Sequence, residues 1–134
     1  MTEIKGPIYP DLEGKGVLIT GGGSGIGESI GHHFARQNVK IGFLDINVEA
    51  SKKVVADCAA KGVTVHFEHC DLKDIAATQA AIGRIRKAIG PITVLINNAA
   101  HDQRHKAEEV TSDYWDDRFA TNLKHQFFCA QAVL

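Results

Sequence analysis

The sequence predicts an α/β fold, a doubly wound parallel sheet with its strands in the order 3-2-1-4. Three observations predict it. Short apolar runs alternate with longer segments whose apolar residues recur at helical spacing. A glycine-rich stretch, Thr20-Gly-Gly-Gly-Ser-Gly-Ile-Gly27, joins the first apolar run to the first helical segment. Thr20, Asp45, Asp71 and Asn97 each stand where an apolar run ends. Strands alternating with helices imply right-handed crossovers and a parallel sheet, whose ligands bind beyond the carboxyl ends of the strands. Four separate loops therefore converge on one crevice.

In order, residues 1 to 13 read as a loosely held arm with charges and two prolines and no apolar core of the kind a signal peptide needs. Val17-Leu18-Ile19 is the first strand. The helix after it carries Ile26, Ile30 and Phe34 four apart, which predicts one buried stripe, with Asn38 as its C-cap. Lys40 to Leu44 reads as the second strand, ending at Asp45. Ala50, Val54 and Cys58 mark a second helix stopped by Gly62, and Val63 to Cys70 alternates as a third strand ending at Asp71. Ile75, Ile82, Ile85 and Ile89 share one face of a third helix, stopped by Gly90-Pro91. Ile92 to Ile96 is a fourth strand, followed by Asn97-Asn98-Ala99-Ala100 and a polar loop from His101 to Lys106. The last helix starts near Thr111, an N-cap with Asp113, Asp116 and Asp117 in the first turns, and bears an apolar stripe of Trp115, Phe119, Leu123 and Phe127.

There is no repeat, low-complexity tract or linker, so residues 1–134 read as a single domain. A formal net charge of −1 gives no support for nucleic-acid binding, and no apolar run is long enough to span a membrane. Cys58, Cys70 and Cys129 are odd in number and lack C-x-x-C spacing, which points to reduced thiols and a cytoplasmic protein.

The glycine stretch is a phosphate site by construction. The first N–H groups of a helix lack intrahelical partners and carry partial positive charge. Gly21 is expected to make the tight turn, Gly25 the close approach of a diphosphate, and Gly27 the close packing of helix on strand. Asp45, 18 residues after Gly27, stands where an acid accepts from the adenosine ribose hydroxyls. A carboxylate there repels a 2′-phosphate, and the neighbouring Ser24 and Ile46 bring no cation, so the expected cofactor is NAD rather than NADP. Asp71 either accepts from the adenine amino group or caps the following helix, a job Asp74 also suits. Asn97 and Asn98 end a buried strand and either tie strand ends together or hold the cofactor. Asn122 lies mid-helix on the side of Phe119 and Leu123, where a polar group costs stability unless bonded, which favours a functional role. His101 and His105 could ligate a metal only in a special loop fold with a third ligand, and none is evident, so no metal is expected. The loop is otherwise solvated or a contact for a polyhydroxylated substrate.

Together these residues resemble the short-chain dehydrogenase/reductase family, a Rossmann-type fold. The matching marks are T-G-x-x-x-G-x-G at Thr20 to Gly27, Asp45, Asp71-Leu72, Asn97-Asn98-Ala99-Ala100, where the family more often ends in Gly, and Asn122-Leu123. The resemblance covers nearly the whole chain from Lys15. It implies a cofactor-binding set of Gly21, Ser24, Gly25, Ile26, Gly27, Asp45, Ile46, Asp71, Leu72, Asn98, Ala99 and Ala100. It makes Asn122 the family's catalytic asparagine, which holds a water of the proton relay through its main chain. The run from Asn97 to His105, with Asp113 to Arg118 and His125 to Phe128, also resembles the family's NAD-dependent aldose 1-dehydrogenases. The substrate it implies is a small alcohol or sugar.

The family's catalytic serine and Tyr-x-x-x-Lys are missing. The tyrosines are Tyr9 and Tyr114, and Tyr114 has Arg118 four residues on within the wrong helix. The resemblance therefore implies the first half of such an enzyme, truncated before the later strands and inactive alone. Three classes stay open: the cofactor half of an oxidoreductase, a nucleotide-binding module without chemistry, and an inert fragment. An uncovered fourth strand and uncovered aromatic stripe predict a homo-oligomer.

Overall fold

The computed structural model describes residues 5–134; residues 1–4 of the expected arm lie outside the described residues. The rest of the arm is held to the end of the first helix rather than hanging loose. The Tyr9 N–H donates to Gln37 Oε1 at 2.8 Å, and Gln37 Nε2 donates to the Pro7 carbonyl at 3.1 Å.

Four parallel strands, β1 (Gly16–Thr20), β2 (Lys40–Asp45), β3 (Val65–His69) and β4 (Ile92–Asn97), form one sheet in the order β3-β2-β1-β4. β1 lies between β2, with Thr20 opposite Leu44, and β4, with Thr20 opposite Asn97. Every residue of β1 is buried, as a central strand covered on both faces requires. Alternation along it feeds two cores. Val17 and Ile19 join Ile41, Phe43, Val54 and Cys58 under α1 (Gly25–Ala35) and α2 (Val48–Ala59). Leu18 joins Leu44, Ile82, Ile85, Ile89 and Cys129 under α3 (Ile75–Ile89) and α5 (His125–Val133). α4 (Ser112–Phe119) and a π turn (Ala120–Lys124) lead into α5. Side-chain caps fix the starts of three helices: Asn47, Asp74 and Thr111 accept from the N–H groups of Ala50, Ala77 and Tyr114.

Four expectations need correction. Ile26 is 75% exposed, because the first turn of α1 projects past the carboxyl edge of the sheet; Ile30 and Phe34 pack on the core and are only partly buried. Arg36 caps α1, and Asn38, two residues later, takes φ of +55°. β3 starts at Val65 because the Val63 N–H closes the end of α2 on the Cys58 carbonyl. The last helix is not continuous but broken by the π turn, and its outward stripe, Trp115, Phe119, Leu123 and Phe127, is exposed. Its inward residues are His125 and Cys129, both fully buried. Among the described residues no strand lies beyond β4.

The contact of β2 with α3 has no slack. A Cβ on Gly42 would lie 2.3 Å from Ile85 Cγ2. Gly42→Ala should cost about 1–3 kcal/mol in urea unfolding, the range for overpacking a core. The cost should shrink in an Ile85→Ala background, which removes Cγ2, although Ile85→Ala alone costs about 2–5 kcal/mol. Additive effects would place the strain elsewhere.

Candidate functional site

The carboxyl ends of the four strands surround one cavity of about 630 Å³. The structure brings together around it Gly21, Ser24, Gly25, Ile26, Gly27, Asp45, Ile46, Asp71, Leu72, Asn98, Ala99 and Ala100. It adds Cys70, Lys73, Arg118 and Thr121, which sequence reasoning did not place there, and His101 and Asp102 of the loop after β4, which the sequence offered as solvated or as a substrate contact.

The glycine turn has the expected shape. Gly21 has φ of +71°, and its N–H donates to the Leu44 carbonyl at 2.7 Å. A Cβ on Gly27 would fall 1.8 Å from the Gly21 carbonyl oxygen, so α1 can approach the turn only without a side chain there. A Cβ on Gly25 would meet nothing within 4 Å, so that position faces open space. The Glu28 N–H, bonded to the Ser24 carbonyl, makes the first bond of α1. The amides before it have no intrahelical partner and point their partial positive charge at the helix start.

Asp45 is buried, and both carboxylate oxygens are engaged. Oδ2 accepts from the Gly23 N–H and Oδ1 from the Asn47 N–H, each at 2.8 Å. It thus ties the glycine turn to the end of β2, and each oxygen keeps acceptor capacity. Asp74, not Asp71, caps α3; Asp71 accepts from the Lys73 N–H at 3.0 Å and lines the cavity half-buried.

The two cavity cations share one acid. Lys73 Nζ lies 2.9 Å from Asp117 Oδ1, and Arg118 bonds Asp117 Oδ2 while lying 5.3 Å above the Tyr114 ring. The hydrogen bond to Asp117 raises the Lys73 pKa, and those from Arg118 and then Lys73 lower that of Asp117.

Asn98 joins strand ends: its Nδ2 donates to the carbonyls of Thr20 at 3.0 Å and Gly21 at 3.1 Å. Asn97 points away, toward the Gln126 carbonyl on α5 at 3.4 Å. Asn122 sits in the π turn and does not line the cavity. Its Oδ1 accepts from the His101 N–H at 2.7 Å, and its Nδ2 donates to the His101 carbonyl at 3.0 Å. Both ends of the polar side chain are therefore bonded, and it fixes the loop that follows β4. His105 pairs with the Tyr114 hydroxyl at 2.8 Å. Among the described residues no three His, Cys, Asp or Glu side chains gather closely enough to hold a metal ion.

Sequence reasoning missed His125, whose ring is fully buried between Thr20 and the Thr121 carbonyl. Its signal was present: a histidine four residues before a cysteine on a helix lies on that cysteine's face.

The family described as short chain dehydrogenase matches residues 15–134. A D-xylose 1-dehydrogenase of Caulobacter vibrioides is 46% identical over 126 residues, 94% of this chain and 49% of the relative. A protein of Rhizobium meliloti described as a probable galactose dehydrogenase is 44% identical, over 93% of this chain and 49% of its own length. A Burkholderia cenocepacia short chain dehydrogenase, solved in complex with NADP, superposes with a TM-score of 0.86 at 28% identity, over 91% of this chain and 50% of its own. The chain thus spans about half the length of the curated relatives it matches.

Burial lowers the His125 pKa, and its bond to the Thr121 carbonyl partly offsets this. One turn on, Cys129 is an uncharged thiol, pushed up to about 11 chiefly by burial. An unfolded imidazole binds its proton near pH 6.5. Below that pH the unfolded chain holds the extra proton first, so His125's contribution is full above about pH 6.5 and is lost on acidification. The urea midpoint should fall between pH 7.5 and 5.5, and should fall less in His125→Asn. Equal falls in the two proteins would mean that the buried ring accepts a proton freely.

Proposed function

The chain belongs to the short-chain dehydrogenase family, and on that premise we propose that it forms the nucleotide-binding half of an NAD-dependent oxidoreductase acting on a hydroxyl carbon of a sugar or other small alcohol. The observation that carries the reading is Asp45, held by two backbone N–H groups at the end of β2, on the same cavity as Gly21, Gly25 and Gly27. The residues fit a dinucleotide. The cavity is within the size range of ligand sites, Gly25 leaves open space at the helix start, and Gly27 lets that start come close. The unpaired amides at the start of α1 would hold the diphosphate, and Asp45 would accept from the ribose hydroxyls and repel a 2′-phosphate. Asp71 and Leu72 would meet the adenine. NAD, when bound, supplies the hydride acceptor.

Asn122 spends its side chain on the His101 peptide and leaves its main chain to act. Its carbonyl accepts from Gln126 Nε2 at 2.9 Å. A carbonyl oxygen has a second lone pair, which would hold a water for the proton relay. The sugar reading rests on the polar loop from His101 to His105 and on the names of the two bacterial sugar dehydrogenases above. The Burkholderia relative was solved with NADP, so the preference for NAD proposed here rests on Asp45 alone. We further propose a cytoplasmic setting, from the three cysteines, all buried and free.

NADH should bind this chain more tightly than NADPH, and Asp45→Ala should narrow the gap. Calorimetric titration with both nucleotides measures it; a preference for NADPH would reject the role of Asp45. No sugar should turn over, because neither tyrosine heads a Tyr-x-x-x-Lys and Asn122 cannot take a proton at neutral pH. Absorbance of NADH over a sugar panel checks this.

Self-association is the second expectation. The exposed stripe Trp115, Phe119, Leu123 and Phe127 and the outer edge of β4 would drive it. Sedimentation at micromolar concentration should show a dimer or larger, and a monomer would count against both surfaces.

A further inference from the structure

We infer that His125 is a positioning residue: as a neutral imidazole protonated on Nδ1, it ties the ends of β1 and β4 to the π turn that carries Asn122. The inference rests on the reading above for the importance of Asn122, but its geometry stands by itself. Two constraints independently fix the same proton. Nδ1 lies 2.5 Å from the Thr121 carbonyl, which can only accept, so Nδ1 carries a hydrogen. On the other side, Nε2 lies 3.4 Å from Thr20 Oγ1. That hydroxyl already accepts from the Asn98 N–H at 3.0 Å and the Ala99 N–H at 3.1 Å. Both of its lone pairs are engaged, so all it has left to offer is its own O–H, and Nε2 must accept.

The result is a directed chain of hydrogen bonds. It runs from the amides of Asn98 and Ala99 to the Thr20 hydroxyl, on to His125 Nε2, and from Nδ1–H to the Thr121 carbonyl. Asn98, Ala99 and Thr121 line the cavity, and Asn122 follows Thr121 directly. The chain therefore joins the floor of the nucleotide site to the turn that places Asn122 against His101. Any other protonation of the ring breaks it. A proton on Nε2 would point at an oxygen with no acceptor capacity left, in a place that excludes water.

Long-range ¹H–¹⁵N NMR of the unaltered chain at pH 7, with His125→Phe identifying the resonance, tests this without cofactor. We expect the neutral tautomer with the hydrogen on Nδ1. Thr20→Val should shift the Nε2 resonance, and Thr20→Ser, which keeps the hydroxyl, should restore it. In His125→Phe the Asn122 side-chain amide signals should move, and NADH affinity should fall about fivefold, the equivalent of one hydrogen bond. An Nε2–H tautomer or an imidazolium overturns the inference, as do unmoved Asn122 signals. If His125→Phe does not fold, backbone-linked assignment of the unaltered chain identifies the ring, and the tautomer still stands as a test. Failure of the unaltered chain to bind NADH, with the Nδ1–H tautomer present, would overturn the proposed function and leave this inference intact.

Discussion

One side-chain oxygen organises the carboxyl edge of this sheet. Thr20 is the last residue of the central strand, fully buried, and its Oγ1 collects the N–H groups of Asn98 and Ala99. Its carbonyl takes the Asn98 side chain as well. A buried donor left unpaired costs about 1–3 kcal/mol, so the loop leaving β4 has little freedom to detach from β1. That attachment sets the tight spacing around the glycine turn: a Cβ on Gly21 would lie 3.0 Å from Ala99 Cα. The close approach of α1 at Gly27 builds on the same turn, since its nearest obstacle is the Gly21 carbonyl. A hydroxyl, Ala99 and two glycines thus define the tight part of the floor, and a side chain at Gly21 or Gly27 would collide with it.

The charges around that floor are held in fixed positions. Asp45 is anchored by backbone N–H groups instead of a cation, so its negative charge stays on the cavity. Lys73 and Arg118 are drawn to Asp117, on the side of the cavity formed by the end of β3 and by α4. A carboxylate that must hold the glycine turn cannot easily swing away from a ligand phosphate. The structural role of Asp45 therefore reinforces the discriminating role proposed for it.

Much of this was legible in the sequence, and what was not has a common physical cause. Strand order, the caps at Asp74 and Thr111 and the tight fit at Gly27 follow from local chemistry: an apolar run, a side-chain oxygen before a helix, a missing Cβ. The misreadings arose where tertiary placement overrides a local pattern. Ile26 has perfect helical spacing with Ile30, but it lies on a turn that extends beyond the sheet. Asn38 suits a helix end, yet Arg36 makes the cap. Lys73 and Arg118 are far apart in sequence and meet only because the ends of β3 and α4 share a cavity. Asp45 was legible as the acid that ends the second strand, but its bond to Gly23, 22 residues earlier, depends on the fold.

The π turn explains how the last helix serves two faces at once. Trp115, Phe119, Leu123 and Phe127 are spaced four apart three times in succession. In an uninterrupted α-helix each residue turns about 100°, so Trp115 and Phe127 would be about 120° apart, on different faces. A π turn accommodates one more residue, which takes back about 100° and returns the two ends of the stripe to nearly the same side. All four are exposed, as that geometry requires. The same correction keeps Thr121, His125 and Cys129, also four apart, turned toward β1 and the core. It also sets Asn122 and Gln126 in line, so that the Gln126 side chain reaches the Asn122 carbonyl. Strict fourfold spacing sustained over a dozen residues is itself a sequence mark of such a turn, because no straight α-helix keeps that spacing on one face.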